Sequence, residues 1–165
     1  MTSNKKKEKK VVSDIIVYTD GSCMGKHKNM CGYGVHFPNA ELKDLSKKFT
    51  HEPLTNQRAE LYAIYKALKR IIKNLKFDSI HIYTDSEYSI KSLTIWINTW
   101  KKNNWKTANN KQVLNQDIIM RIDKMLQKYN GKILFSHVRS HTGKTDQHSI
   151  GNDKADKLAT AGAKL

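Results

Sequence analysis

The sequence predicts one α/β domain with the element order βββαβααβα. Three observations carry that reading. Ile15–Thr19 is a continuous β-branched and aromatic run, as in a strand buried on both faces. From Asn56 the apolar period becomes helical, with Leu61, Ile64, Leu68, Ile71, Ile72 and Leu75 on one stripe. Ile80–Thr84 is strand-like again, and a long helix between two strands joins them in parallel through a right-handed crossover.

The elements follow in order. Residues 1–12 are polar and lysine-rich, with nothing to bury, and are expected to form a disordered tail ahead of a domain spanning 13–165. Gly21 is expected to turn the chain after the first strand. Gly32–Phe37 and Leu42–Thr50 read as two more strands with Pro38-Asn39 as the turn between them, close enough in sequence to be antiparallel neighbours. Thr55 or Asn56 can cap the first helix. Short helices from Ser86 to about Trp100, a longer one over Lys111–Tyr129, a last strand at Lys132–Val138 and a terminal helix capped by Asn152 complete the order. In that last helix Ala155, Leu158 and Ala159 form a short stripe, and Gly162 is expected to mark its end.

Bulk properties narrow the function. At 165 residues the chain can bury a real core. It carries no apolar run of membrane-spanning length and no signal-peptide layout, so it reads as intracellular, cytoplasmic or nuclear. Cys23 and Cys31 are too few for a disulfide framework and form no C-x-x-C pair, so both are expected as reduced thiols. The net charge of +15 points to a polyanionic partner. Lys5, Lys6, Lys7, Lys9 and Lys10 against Glu8 leave +4 in the tail, so the remaining +11 belongs to the folded part.

The chemistry is carried by acids. Tyr18-Thr19-Asp20 and Tyr83-Thr84-Asp85 are identical tripeptides, each closing a predicted strand, and open α/β sheets place their sites at such carboxyl ends. Glu60 sits one turn into the helix between them, at the edge of its apolar stripe beside Ala63 and Ile64, where an acid is desolvated unless a positive group faces it. A fourth acid, Asp153 or Asp156, lies on the terminal helix. Singly, each has an ordinary reading: Asp20 before Gly21 as a turn residue, Asp153 or Asp156 as helix N-terminal charge. Together, four carboxylates match the charge of two Mg²⁺, and oxygen-only hard ligands suit Mg²⁺ or Mn²⁺ rather than zinc.

Tyr18-Thr19-Asp20-Gly21-Ser22, Thr55-Asn56-Gln57-Arg58-Ala59-Glu60-Leu61, Tyr83-Thr84-Asp85-Ser86 and Gly151-Asn152-Asp153-Lys154-Ala155-Asp156 resemble, in order and spacing, ribonuclease H of type 1. The resemblance runs from about Ile15 to the C-terminus. Trp96, Trp100, Lys101, Lys102, Trp105, Lys106 and Thr107 look like that family's basic protrusion, here at about 96–111. The resemblance implies an α/β ribonuclease H-like fold, with a five-stranded mixed sheet of three antiparallel strands plus two parallel ones, flanked by helices. It implies a monomeric endoribonuclease that hydrolyses the RNA strand of RNA–DNA hybrids, leaving 5′-phosphate and 3′-hydroxyl ends. Two Mg²⁺ about 4 Å apart would act there, with Mn²⁺ as a substitute.

By the same resemblance Asp20, Glu60, Asp85 and Asp156 are the metal-binding carboxylates, which selects Asp156 over Asp153. His141 matches the family's flexible catalytic histidine. The segment from His141 to Asp156 is several residues longer than is usual in the family, and His148 stands as the alternative. Cys23, Asn56, Gln57 and Glu60 are implied on the RNA side, where 2′-hydroxyls are read. Tyr88, Trp96 and Trp100 are implied on the DNA side, with Thr55 and Asn115 in a DNA-phosphate pocket. The family often places an arginine two residues before that threonine; here the position is Pro53. Tryptophans interleaved with lysines over 96–111 make a nucleic-acid surface in their own right, although tryptophan at helical spacing also serves a core. Trp105 is given no contact role. Two rivals remain: another metal nuclease of the same superfold, which would lack Thr-Asn-Gln-Arg-Ala-Glu and the protrusion, and a non-catalytic hybrid-binding module, which would have lost a carboxylate.

Overall fold

The computed structural model describes residues 8–165. Its main sheet has five strands: β2 (Asp14–Met24), β3 (Met30–His36), β4 (Leu45–Lys48), β6 (Ser79–Thr84) and β7 (Ile133–His137). They lie in the order β4-β3-β2-β6-β7. β2–β3 and β3–β4 are antiparallel, and β2–β6 and β6–β7 are parallel. A separate two-residue ladder joins β1 (Lys10–Val11) to β5 (Leu75–Lys76) in parallel. Residues 10 and 11, expected in a disordered tail, are therefore held by backbone pairing; the rest of that expectation, residues 1–7, falls outside the described residues.

Among the described residues there are also five α-helices: α1 (Asn56–Asn74), α2 (Glu87–Lys91), α3 (Ile97–Lys102), α4 (Gln116–Lys128) and α5 (Gln147–Ala163). A single wide turn at Ser92–Trp96 links α2 to α3. Thr55 caps α1, its side chain accepting the Arg58 N–H. Leu61, Ile64, Leu68 and Ile71 of the predicted stripe are fully buried on Val17, Ile80 and Ile82 of the sheet and Ile119 and Ile122 of α4.

The two sheet faces are packed differently. A Cβ on Gly21 would meet the backbone of Ala59 and Glu60, whereas the Tyr18 ring lies where a Cβ on Gly151 of α5 would be. Side chains alternate along a strand, so α1 and α5 cover opposite faces. α5 lies almost directly on β3 and β4: Gly34 faces the Ala155 carbonyl and Gly162 faces the backbone of Lys47.

Several boundaries move from the sequence expectation. Gly21 makes no turn; β2 runs through it to Met24, and the chain turns at Gly25, whose φ is +91°. Gly21 is small because α1 presses on it. Gly162 likewise marks a close contact, and α5 continues to Ala163. α5 starts five residues before Asn152, capped by Asp146, whose carboxylate accepts the Ser149 N–H. Asn152 is buried inside the helix, and the long segment after His141 is thus partly an extra turn of α5. α4 starts at Gln116 rather than Lys111, because Asn115 adopts a left-handed conformation (φ 63°) and Lys106 bridges Gln112 upstream.

Candidate active site

Each acid is delivered by a separate piece of this framework. Asp20 is near the end of the sequence shared by β2 with the parallel β6, is 3% exposed, and stands in register opposite Gly34. Asp85 follows β6 immediately. Glu60 occupies the second turn of α1, and Asp156 comes from α5. Carboxylate oxygens of Asp20, Glu60 and Asp85 all lie within 4.8 Å of one another. Asp156 lies outside that tight trio but close enough for its side chain to raise Asp20 and for its charge to act on Glu60 and Asp85.

The electrostatics are unfavourable without a cation. Burial, and then the charges of Glu60 and Asp85, push the Asp20 carboxyl far above the usual carboxylate range. Glu60 is also pushed up, by burial and by Asp85, against hydrogen bonds from Asp20 and the Gly21 N–H that favour its charged form. Asp85 is raised by burial and by Asp156, with His141, His137 and a hydrogen bond to Asp20 pulling the other way. Among the described residues no lysine or arginine pairs with any of these acids. Glu60 keeps one carboxylate oxygen, Oε2, buried with no hydrogen-bond partner. An orphaned, desolvated anion among three others fits a divalent cation with oxygen ligands.

The remaining predicted residues divide by location. His141, exposed and with a φ of 54°, lies close enough to Asp85 to lower its pKa. His148 does not reach the acids: its ring stacks on Tyr83 at 4.3 Å and its Nδ1 is 2.8 Å from the Tyr18 hydroxyl. His137 went unremarked in the sequence, yet its Nε2 lies 3.2 Å from the Asp85 carbonyl oxygen. A histidine closing the strand beside Asp85 was the available signal.

Asn56 accepts the Cys23 N–H at 2.8 Å, which ties the start of α1 to the end of β2. Gln57 beside it is exposed. Cys23 is not a free thiol as expected. β2 and β3 pair it directly with Cys31, and the two form a disulfide. The register of a hairpin, which no cysteine count reveals, brings them together.

Asn115, 7% exposed, donates to the Tyr88 hydroxyl at 2.8 Å. Tyr88, Trp96 and Trp100 form a row with ring centroids 6.0 Å apart at each step. Trp96 is 40% exposed, whereas Trp105 packs against the core. The missed residue here is Arg58: buried, it grips Asp117 with two bonds of 2.7 and 2.9 Å and fastens α1 to α4 beside Thr55. Its guanidinium is thereby committed to Asp117. A hollow of about 420 Å³ lies among Pro53, Arg58, Asn115 and Asp117.

A family model described as RNase H matches residues 12–164. The chain belongs to the RNase H family. It is 42% identical over 135 residues to a probable ribonuclease H of Acanthamoeba polyphaga mimivirus, covering 81% of this chain and 58% of that protein. Against the ribonuclease H1 of Homo sapiens it is 35% identical over 152 residues, covering 91% of this chain and 50% of that one. The chain thus spans between half and three-fifths of the length of these curated relatives. The solution structure of the PFV RNase H domain superposes with a TM-score of 0.71 at 26% identity, over 91% of this chain and 94% of that domain. The RNase H fold and its acidic centre are therefore both present here. No helix among the described residues is long and apolar enough to cross a membrane.

Proposed function

We propose that this RNase H chain acts as a monomeric endonuclease on RNA–DNA hybrids, hydrolysing the RNA strand to 5′-phosphate and 3′-hydroxyl ends. One observation carries the reading: Asp20, Glu60 and Asp85 converge within 4.8 Å with no lysine or arginine partner among the described residues and with a Glu60 oxygen left unsatisfied. Asp20, Glu60, Asp85 and Asp156 would hold Mg²⁺, or Mn²⁺ in its place. Two such ions supply an activated water and stabilise charge on the leaving 3′ oxygen.

The chain's own residues do the rest. Asp20 is buried and Glu60 half-buried, and the close packing of α1 on β2 at Gly21 holds them, so the ligand set needs little reorganisation. His141, exposed beside Asp85, carries protons or helps the cleaved end to leave. Asn56 and Gln57 face the RNA strand and read 2′-hydroxyls, with Cys23 serving through its backbone position. Tyr88, Trp96 and Trp100 offer a wall that suits a sugar without that hydroxyl, and Thr55 and Asn115 take a DNA phosphate. The surface lysines Lys102, Lys106 and Lys111 add the sequence-independent attraction of a polyanion.

The test is cleavage of end-labelled RNA–DNA hybrid, duplex RNA and duplex DNA in Mg²⁺, beside an Asp85→Asn variant and an EDTA control. Cutting of the hybrid's RNA alone, lost in both controls, is expected. Cutting of duplex DNA would make this another metal nuclease of the superfold, and hybrid binding without cleavage in Mg²⁺ or Mn²⁺ would make it a binding module.

A further inference from the structure

Far from the acids, α1 presents a second surface. Lys66, Lys69, Arg70 and Lys73 recur at i, i+3, i+4 and i+7, so they share the helix face opposite the buried stripe. A row of lysines on a helix is ordinarily just a solvated face. Here it has a second wall. Lys47 of β4 and the side chains of Tyr33 and Leu45 close a groove of about 470 Å³ against the helix, and five of its lining residues are cations. None of the five forms an ion pair among the described residues. The Arg70 Nε is buried without a hydrogen-bond partner.

More positive charge gathers at the far end. Lys9 donates its ammonium to the Ile72 carbonyl at 2.8 Å, and the β1–β5 ladder fixes Lys10 beside Leu75. Glu8 and Glu41 line the adjoining hollow, but Lys9, Lys10 and Lys73 line it too, so the sign stays positive.

We propose that this groove is a second nucleic-acid-binding surface, which holds a phosphodiester backbone by charge and takes no part in cleavage. From Lys66 to Lys73 is about 10 Å along the helix axis, the length over which one duplex strand presents about three phosphates. No aromatic side chain lining the groove is exposed enough to stack a base, Tyr33 being 5% exposed, so recognition is of backbone and independent of sequence. Separation from the catalytic centre follows from α1 itself. The four cations lie about 9–20 Å beyond Glu60 along the axis, toward the end where Asp14 and Ser79 begin the parallel strands. The surface stands whether or not the acids cut a hybrid, because binding alone reports it.

The experiment is fluorescence anisotropy of the full chain with a labelled duplex DNA in EDTA across a salt series. It compares the wild type, Lys66→Gln/Lys69→Gln/Lys73→Gln, and the charge-keeping Lys66→Arg/Lys69→Arg/Lys73→Arg. Glutamine keeps helix propensity, so α1 is retained. Neutralising three phosphate contacts should weaken binding and reduce the slope of log K against log salt by about two to three. The arginine variant should bind as the wild type does, and cleavage of a hybrid too short to leave the cleft should keep its kcat in both. An unchanged affinity and slope would overturn the proposal. So would loss of binding in the arginine variant, since charge would not then be the cause. Retained duplex binding with selective loss of a labelled poly-glutamate peptide would overturn it in favour of an acidic protein partner.

Discussion

A Cβ on Gly21 would collide with the backbone nitrogen of Glu60 and with the backbone carbonyl of Ala59. Strand and helix backbones touch where two carboxylates of the acidic centre, Asp20 and Glu60, come together. Gly21→Ala should push α1 away from β2, costing about 1–3 kcal/mol of stability as overpacking does. Hybrid cleavage should fall further than the loss of folded protein accounts for. Urea denaturation beside cleavage by the folded fraction checks both.

The acids themselves should destabilise the fold when no metal is bound. The Asp20 and Glu60 carboxyls have pKa values raised by folding, so the folded state holds protons that the unfolded state has released. Stability from these groups is therefore greatest below the unfolded carboxylate range near pH 4, and it declines as pH rises toward the raised folded values. In EDTA at neutral pH, Asp20→Asn should melt a few degrees above the wild type. Mg²⁺ should raise the melting temperature of the wild type and do less for the variant. A variant that melts below the wild type in EDTA would contradict this account.

Arg58 and Asp117 act in the opposite sense. The guanidinium beside Asp117, hydrogen-bonded to both its oxygens, holds that carboxyl below its usual range. Its contribution is present above the unfolded pKa near 3.9 and is lost as pH falls through the folded value. Because the Asp117 side chain is 61% exposed, Asp117→Asn should cost only about 0.5–1 kcal/mol at pH 7. The difference from wild type should vanish in strong acid. Arg58→Ala should cost more, since Arg58 is buried and also donates to the His51 and Glu52 carbonyls.

The two candidate histidines should separate cleanly. His141→Ala should lower kcat by about 10–100-fold while hybrid binding holds. His148→Ala should leave turnover intact and lower stability, because it removes a ring stacked on Tyr83 and a partner of the Tyr18 hydroxyl. Steady-state kinetics with a thermal melt distinguishes them, and a slow but stable His148→Ala enzyme would reverse the assignment.

The sequence made the acids Asp20 and Asp85, the α1 stripe and the succession of the five main strands along the chain legible, because each rests on a local period or a repeated tripeptide, although β2 runs on past Asp20 to Met24. Contacts between distant segments were not legible. Gly21 and Gly162 carried turn and stop chemistry on paper, but a glycine demanded by a neighbouring backbone looks no different from one demanded by φ. Asn152 had cap chemistry too, and Asp146 took that role because α5 had packing partners one turn earlier. The Cys23–Cys31 link follows from hairpin register, and the Arg58–Asp117 grip from the docking of α4 on α1. The groove joins Lys47 to residues 66–73, which no sequence window holds together.

α1 is an unbroken helix of 19 residues, with Glu60 near one end and the cations of the groove toward the other. A helix without a kink is a ruler. The interval between an anchored backbone and the bond to be cut would then be written in residues of α1, at about 1.5 Å each. Four residues inserted between Glu60 and Lys66 would lengthen it by about 6 Å and advance the face by little more than a full turn. Geometry of this kind selects where along a bound strand a cut falls, while leaving the chemistry of the cut untouched.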